Sequence, residues 1–232
     1  MKIIYLFLIL ALLYIVVGYA RYKYILGHAN LEIILQKDLK IGTGPELRYI
    51  AAGDSTALGV GASEVEKTYP NRIAQYLAQK NTVNYKNVAV IGAKTEDVIN
   101  TQLKEIIDFN PDVITISVGA NDVTHYVGKN TTIENYHEII KQLTENTRAK
   151  IYITDVARFD YSYLLPYLFR EYFDLKARSV NQELLKLETD RVKFVDIHGV
   201  AVDNSRDQFH PSDLGYNFWA NAFLDKIKTD YP

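Results

Sequence analysis

The chain has 232 residues, 48% hydrophobic and 23% charged, which supports a substantial core and excludes bulk disorder. Its 26 basic and 28 acidic residues leave a net charge of −2 without a basic stripe, so the electrostatic footprint of a nucleic-acid binder is absent. There is no cysteine, which excludes disulfides, thiolate metal sites, a cysteine nucleophile and a lipid-modified N-terminal cysteine.

Behind Met1-Lys2, residues 3–20 form an apolar run without a charge. As a helix, 18 residues span ~27 Å, close to the hydrocarbon thickness of a bilayer. An uncleaved membrane anchor fits this length best. A signal peptide cut after Gly18-Tyr19-Ala20 and a buried helix of a soluble domain are the alternatives. Arg21 and Lys23 on the far side of the run blur the orientation that Lys2 would set. The expected arrangement is a membrane-anchored, extracytoplasmic domain, with secretion after cleavage as the alternative. Residues 21–46 read as a linker with a short strand at 31–35 and a turn cluster at Gly42-Thr43-Gly44-Pro45. Residues 47–232 then form the main domain.

From residue 47, apolar runs alternate with amphipathic ones. Strands are expected at 47–52, 83–90, 113–118, 150–156 and 192–197, and helices at 69–79, 95–107, 131–147, 164–187 and 212–227. Glu96 and Asp97 place acids in a first helical turn, as the helix dipole favours. Strands and helices in this alternation imply a parallel sheet with helices on both faces, an α/β fold.

In such a sheet all carboxyl ends of strands lie on one edge, where residues far apart in sequence converge. Ser55, in Gly53-Asp54-Ser55-Thr56, follows the first strand. Gly92 follows the second, Gly119-Ala120-Asn121-Asp122 the third, and Asp207-Gln208-Phe209-His210-Pro211 the fifth. A serine hydroxyl needs a base, and a neutral imidazole is suited to that task, which makes His210 the candidate base for Ser55. Asp207 can reach back to orient it. The backbone N–H groups of Ser55 and Gly92 and the side-chain amide of Asn121 are candidate oxyanion donors. Taken singly, each residue has a plainer reading: a turn serine, a helix-start histidine, a turn asparagine. Asp54 and Asp122 read as loop-bonding acids. His125 reads as a surface or packing residue, with a place lining the cleft as the alternative, and His28, His137 and His198 as incidental. No cluster has metal-ligand spacing, so neither a metal nor a cofactor is expected.

Together, in this order and spacing, the four stretches resemble the blocks of the SGNH (GDSL-type) hydrolases. The resemblance covers about residues 47–227. It implies a three-layer α/β/α sandwich with a flavodoxin-like five-stranded parallel sheet. It also implies ester hydrolysis without a metal, with Ser55 as nucleophile and first oxyanion donor, Gly92 and Asn121 completing the hole, His210 as base and Asp207 as its partner. Thr56 stands where the family name places leucine, a variable position. The Gly-x-Ser-x-Gly elbow of the α/β-hydrolases is absent.

The expected activity is hydrolysis of a carboxylic ester through an acyl-serine, on a lipid or lysophospholipid acyl ester or on an O-acetylated glycan. Acyl transfer to a sugar hydroxyl and a non-catalytic binding module are the alternatives. An aromatic stretch from Phe159 to Phe173 follows the fourth strand. It can form a cap over an acyl pocket, rest on the bilayer, or simply pack on the domain.

Overall fold

The computed structural model describes residues 2–29 and 38–232. Its first element is a helix, α1 (Lys2–Ala29), which continues well past Ala20. Among the described residues it is the one helix long and apolar enough to cross a membrane. Its apolar side chains are exposed almost throughout, and Ile25 and Ala29 alone are buried. The strand expected at 31–35 lies outside the described residues.

Strands β1 (Leu39–Ile41), β2 (Glu46–Gly53), β3 (Thr82–Asn87), β4 (Val113–Ser117), β5 (Lys150–Thr154) and β6 (Val192–Val195) form one sheet. Its order is β1-β3-β2-β4-β5-β6. The five strands expected from sequence run parallel. A sixth, β1, is added antiparallel at the edge, with Leu39 opposite Tyr85 and Ile41 opposite Val83. The sheet is therefore mixed and six-stranded rather than five-stranded. A strand of three residues offers too little alternation to be read as a pattern.

Between the strands lie α2 (Ser55–Leu58), α3 (Tyr69–Leu77), α4 (Thr95–Asp97), α5 (Leu103–Phe109), α6 (Ala120–Thr124), α7 (Lys129–Asn146), α8 (Tyr167–Leu184) and α9 (Asp213–Asp230). Burial on both faces explains the apolar character of the central strands. On one face Ile50, Ile114, Ile116, Ile151 and Ile153 pack with residues of α5, α7 and α8. On the other, Tyr49, Ala51, Val113 and Tyr152 pack with residues of α3 and α9.

Two departures from regular structure shape the carboxyl edge of the sheet. The expected strand at 83–90 ends early, because Asn87 Oδ1 accepts the N–H of Ala89 and turns the chain. Val88 and Val90 nevertheless still donate to Ala51 and Gly53 of β2. The expected helix at 95–107 is interrupted by a π-turn, Val98–Gln102, between α4 and α5. Such an insertion shifts the side-chain register, and here it delivers Gln102 into the core. Gln102 Oε1 accepts from Gly53 N at 2.8 Å, and its Nε2 donates to Gly53 O at 2.8 Å.

Gly53 itself has φ +127, and a Cβ there would lie 1.8 Å from Ser117 O. Only glycine permits this approach of β2 to β4. Past β5, the buried Asp155 ties the ends of β5 and β6 together. Its Oδ1 accepts from Ile197 N (2.7 Å) and His198 N (3.1 Å). Burial pushes its carboxyl up to about 7, against the opposing effect of those amide hydrogen bonds.

Replacing Gln102 by alanine removes the side-chain partner of the buried Gly53 N–H and one of the two donors to its carbonyl, which keeps Val90 N. We expect it to cost roughly 2–4 kcal/mol, or a Tm lower by ~5–15 °C in thermal unfolding followed by circular dichroism. An unchanged Tm would show that Gly53 does not depend on the clasp. For Asp155 the folded carboxyl is raised above its unfolded value of ~3.9, so its stabilising contribution is present at low pH and lost as pH rises toward about 7. The Tm difference between wild type and Asp155→Asn should therefore shrink, in wild type's disfavour, from pH ~4.5 to ~7 and then level off. A difference flat across that window contradicts titration of Asp155.

Candidate active site

The chain leaves β2 at Gly53 and turns at once into α2. Asp54 caps that helix, its Oδ1 accepting from Thr56 N at 2.9 Å and Thr56 Oγ1 at 2.7 Å. Burial pushes the Asp54 carboxyl up, and the hydrogen bonds from Thr56 work against that shift. Ser55 is the first residue of α2, and its carbonyl accepts from Gly59 N and Val60 N as the turn closes. The hydroxyl is thus held by local backbone geometry on the carboxyl edge of the sheet.

Its partner arrives from 155 positions later in the chain. Ser55 Oγ lies 2.9 Å from His210 Nε2, and His210 Nδ1 lies 2.5 Å from Asp207 Oδ2. An ionised carboxylate only accepts, so Nδ1 carries the proton and Nε2 turns its lone pair to the serine. Asp207 is 1% exposed. Its other oxygen accepts from Ser205 Oγ (2.7 Å), His210 N (2.9 Å) and Phe209 N (3.0 Å). Burial alone would raise this carboxyl. The imidazole and the surrounding donors outweigh it and hold the group below its ordinary value.

The loop carrying His210 is pinned against the turn carrying Ser55. A Cβ at Gly61 would lie 2.5 Å from Pro211 O and 3.1 Å from His210 Cβ, so the two segments touch through bare backbone. Tyr216 OH donates to Val60 O at 2.7 Å. Ser63 donates from N (2.7 Å) and Oγ (2.8 Å) to Asp213, at the start of α9. Ser212 caps α9 by accepting from Leu214 N and Gly215 N.

Gly92 and Asn121 lie on the same edge. Gly92 follows Val90, whose N–H bonds Gly53 O. It has φ +78, and the space its Cβ would occupy is open. Asn121 sits in α6, just past β4, whose Ser117 is in register with Gly53. Its Nδ2 donates one hydrogen to Ala93 O at 3.1 Å, which links this segment to the Gly92 turn. Asp122 accepts from Thr95 N (2.9 Å) and Thr95 Oγ1 (2.5 Å), fixing α6 to α4.

His125 is exposed, with Nδ1 on Asn121 O, and among the described residues no acid pairs with it. His198 is less incidental than its sequence context implies, since its Nε2 lies 3.2 Å from Asp174 Oδ1. Among the described residues no group of three or more potential ligands could hold a metal ion. Sequence reasoning missed Gln102, Ser205 and Gly61. Gln102 carried no signal, because its reach depends on the π-turn. Ser205 and Gly61 were legible as neighbours of Asp207 and Ser55, but their contacts cross the fold.

Residues 51–218 match the GDSL-like lipase/acylhydrolase family. No curated protein matches the chain. Among solved structures, the lipase Lip_vut3 from a goat rumen metagenome is 23% identical, with 77% of this chain and 96% of that one covered at a TM-score of 0.63. A family 3 carbohydrate esterase from Clostridium thermocellum is 18% identical, with 81% and 100% covered and a TM-score of 0.61. The acetylxylan esterase Axe2 from Geobacillus stearothermophilus is 20% identical, with 82% and 96% covered and a TM-score of 0.58. At these identities the likeness is one of fold. The family match, in contrast, spans most of the chain, from the end of β2 through the Asp207–His210 loop into α9, and on that ground the chain belongs to the GDSL-like lipase/acylhydrolase family.

Proposed function

We propose that the protein is a metal-independent serine esterase. The observation that carries this reading is the continuous relay from Ser55 Oγ through His210 to the buried Asp207. As His210 Nε2 takes the proton, Ser55 Oγ attacks the ester carbonyl. Asp207 stabilises the imidazolium that forms. The tetrahedral oxyanion is held by the N–H groups of Ser55 and Gly92 and by the second Nδ2 hydrogen of Asn121, the first being engaged with Ala93 O. His210 then returns the proton to the departing alkoxide, leaving an acyl-serine. In the second half His210 deprotonates a water, which attacks the acyl-serine and releases the carboxylic acid and free Ser55.

In this reading residues 1–20 anchor the chain, 21–46 connect, and 47–232 form an extracytoplasmic hydrolase domain. The length and composition of α1 support the anchor. Two substrate classes fit the chemistry: a lipid or lysophospholipid acyl ester, and an O-acetylated glycan. Similarity of fold to a lipase supports the first, and similarity to an acetylxylan esterase the second.

Ser55→Ala should leave circular dichroism unchanged, lower hydrolysis of a short p-nitrophenyl ester by ~10³-fold or more, and abolish labelling by a fluorophosphonate probe. Equal labelling of wild type and variant would overturn the assignment of Ser55. Asp207→Asn removes the acceptor that sets the imidazole tautomer. It should lower kcat by ~10²–10⁴-fold with KM little changed, read in steady-state kinetics. A kcat within about twofold of wild type would remove Asp207 from the relay.

A further inference from the structure

We propose that the aromatic start of α8 is immersed in the bilayer beside α1, and that the groove between them takes the acyl chain of a membrane lipid and presents its ester to Ser55. The inference deepens the esterase reading by naming its substrate class, and it rests on that reading and on α1 as a membrane span.

The groove encloses about 660 Å³ between Phe7, Leu10 and Tyr14 of α1 and Leu168, Phe169 and Tyr172 of α8. Its α8 wall is bare, with Leu168 64% and Tyr172 47% exposed. Large apolar side chains left in water in this way mark a surface meant for another phase. The charged neighbours lie against rings or are half-buried: Arg170 is half-buried and lies 4.6 Å from the Tyr163 ring and 5.2 Å from that of Tyr167, Lys176 Nζ lies 5.5 Å from the Tyr126 ring and 5.7 Å from that of Tyr172, and Glu171 is half-buried.

Three contacts set the height of this wall against α1. Leu168 N donates to Tyr14 OH at 2.9 Å. Gly18 meets Pro166 so closely that a Cβ there would lie 2.7 Å from the ring. Arg21 Nη2 donates to Gln208 Oε1 at 3.1 Å. At the helical rise, Tyr14 lies ~10 Å from Arg21 along the axis, toward the middle of the apolar run. A bilayer that accommodates residues 3–20 therefore also covers the start of α8, at the depth typical of interfacial helices. Arg21, the first charge beyond the run, marks the polar boundary.

Gln208, bonded to Arg21, lies between Asp207 and His210. The relay thus stands at the level where hydrocarbon gives way to headgroups, which is where the acyl ester carbonyls of a membrane lipid lie. A row of packed rings, with Phe173 and Phe159 buried in the core, runs from the groove toward the relay: the ring centroids of Phe169 and Phe173 are 6.4 Å apart, Phe173 and Phe159 5.9 Å, Phe159 and Phe209 6.3 Å, and Phe209 and His210 5.2 Å. A polar glycan gains nothing from the apolar groove, whereas the acyl chain of a lipid is desolvated within it.

The test uses the full chain in vesicles of phosphatidylcholine and phosphatidylglycerol. Because the chain has no cysteine, single-cysteine variants carry a nitroxide at one chosen site. Labels at Leu168→Cys and at Leu12→Cys, in α1, should be relaxed by oxygen and shielded from a water-soluble nickel chelate. A label at Glu145→Cys, at the far end of α7, should behave in the opposite way. Leu12 in hydrocarbon with Leu168 in water overturns the immersion and leaves the anchor standing. Leu12 in water removes the anchor, and the proposal with it.

Activity provides the second reading. Leu168→Asp should slow fatty-acid release from the vesicle lipid by about tenfold or more while sparing p-nitrophenyl acetate hydrolysis. Unchanged release from vesicle lipid overturns the groove. So does wild-type activity confined to acetylated xylan. Wild type inert toward every ester points instead to failure of the esterase reading. If the aspartate variant misfolds, the spin label at Leu168 and the wild-type preference between vesicle lipid and acetylated xylan still decide.

Discussion

The site depends on one crowded backbone position. At Gly53 the central strand ends, and a Cβ there would collide with Ser117 O of β4. The same residue is held on its other sides. Val90 N bonds its carbonyl, and Gln102 clasps both its N–H and its C=O. Asp54 N then donates to Ser117 O at 2.9 Å as the chain turns. Ser55 comes two residues after Gly53, so its position is inherited from three neighbouring segments rather than from its own loop. A hydroxyl placed this way needs little reorganisation to hold its position, and pre-organisation is where catalytic sites gain most.

The opposite half of the site is built from a different kind of restraint. Asp207 is almost wholly removed from water, a state that would normally neutralise a carboxylate. It remains ionised because the loop from Ser205 to His210 wraps it with its own donors and because the imidazole is its neighbour. Three other carboxylates near the sheet edge, Asp54, Asp122 and Asp155, are pushed upward by burial. Asp207 alone among these four is driven downward, by the imidazole and the donors around it, so it stays an acceptor for His210 Nδ1.

The N-terminal helix is joined to this machinery rather than merely attached to the chain end. Arg21 reaches Gln208 within the loop that carries the relay, and Tyr14 reaches the first turn of α8. The orientation of the active-site edge is therefore linked to the axis of α1. The aromatic residues of α8 lie along α1, and the interior rings Phe173, Phe159 and Phe209 connect that outer surface to His210.

Most of the architecture, and the candidate residues that gather at one edge, were legible in the sequence for local reasons. Parallel strands buried on both faces appear as continuous apolar runs, and the residues just beyond them share one edge whatever the details of packing. That is how Ser55, Gly92, Asn121, Asp207 and His210 could be named as one group. The sequence likewise exposed the apolar run of α1, because length and absence of charge are local properties. What it could not display depends on distance in the chain. β1 is too short to carry a period, and it becomes a strand only because β3 offers an edge. The π-turn is one residue of extra winding, so Gln102 reads as an ordinary helical glutamine until the core is assembled around Gly53. The aromatic stretch left three readings open, and its contact with α1 is visible only once the chain is folded, since the surface that a helix start turns outward is decided by what lies beside it. The sequence by itself determined the chemistry available and the edge on which it gathers. Tertiary structure decided the positions of the reacting atoms, because close approach, burial and depth are properties of pairs of segments and have no local signature.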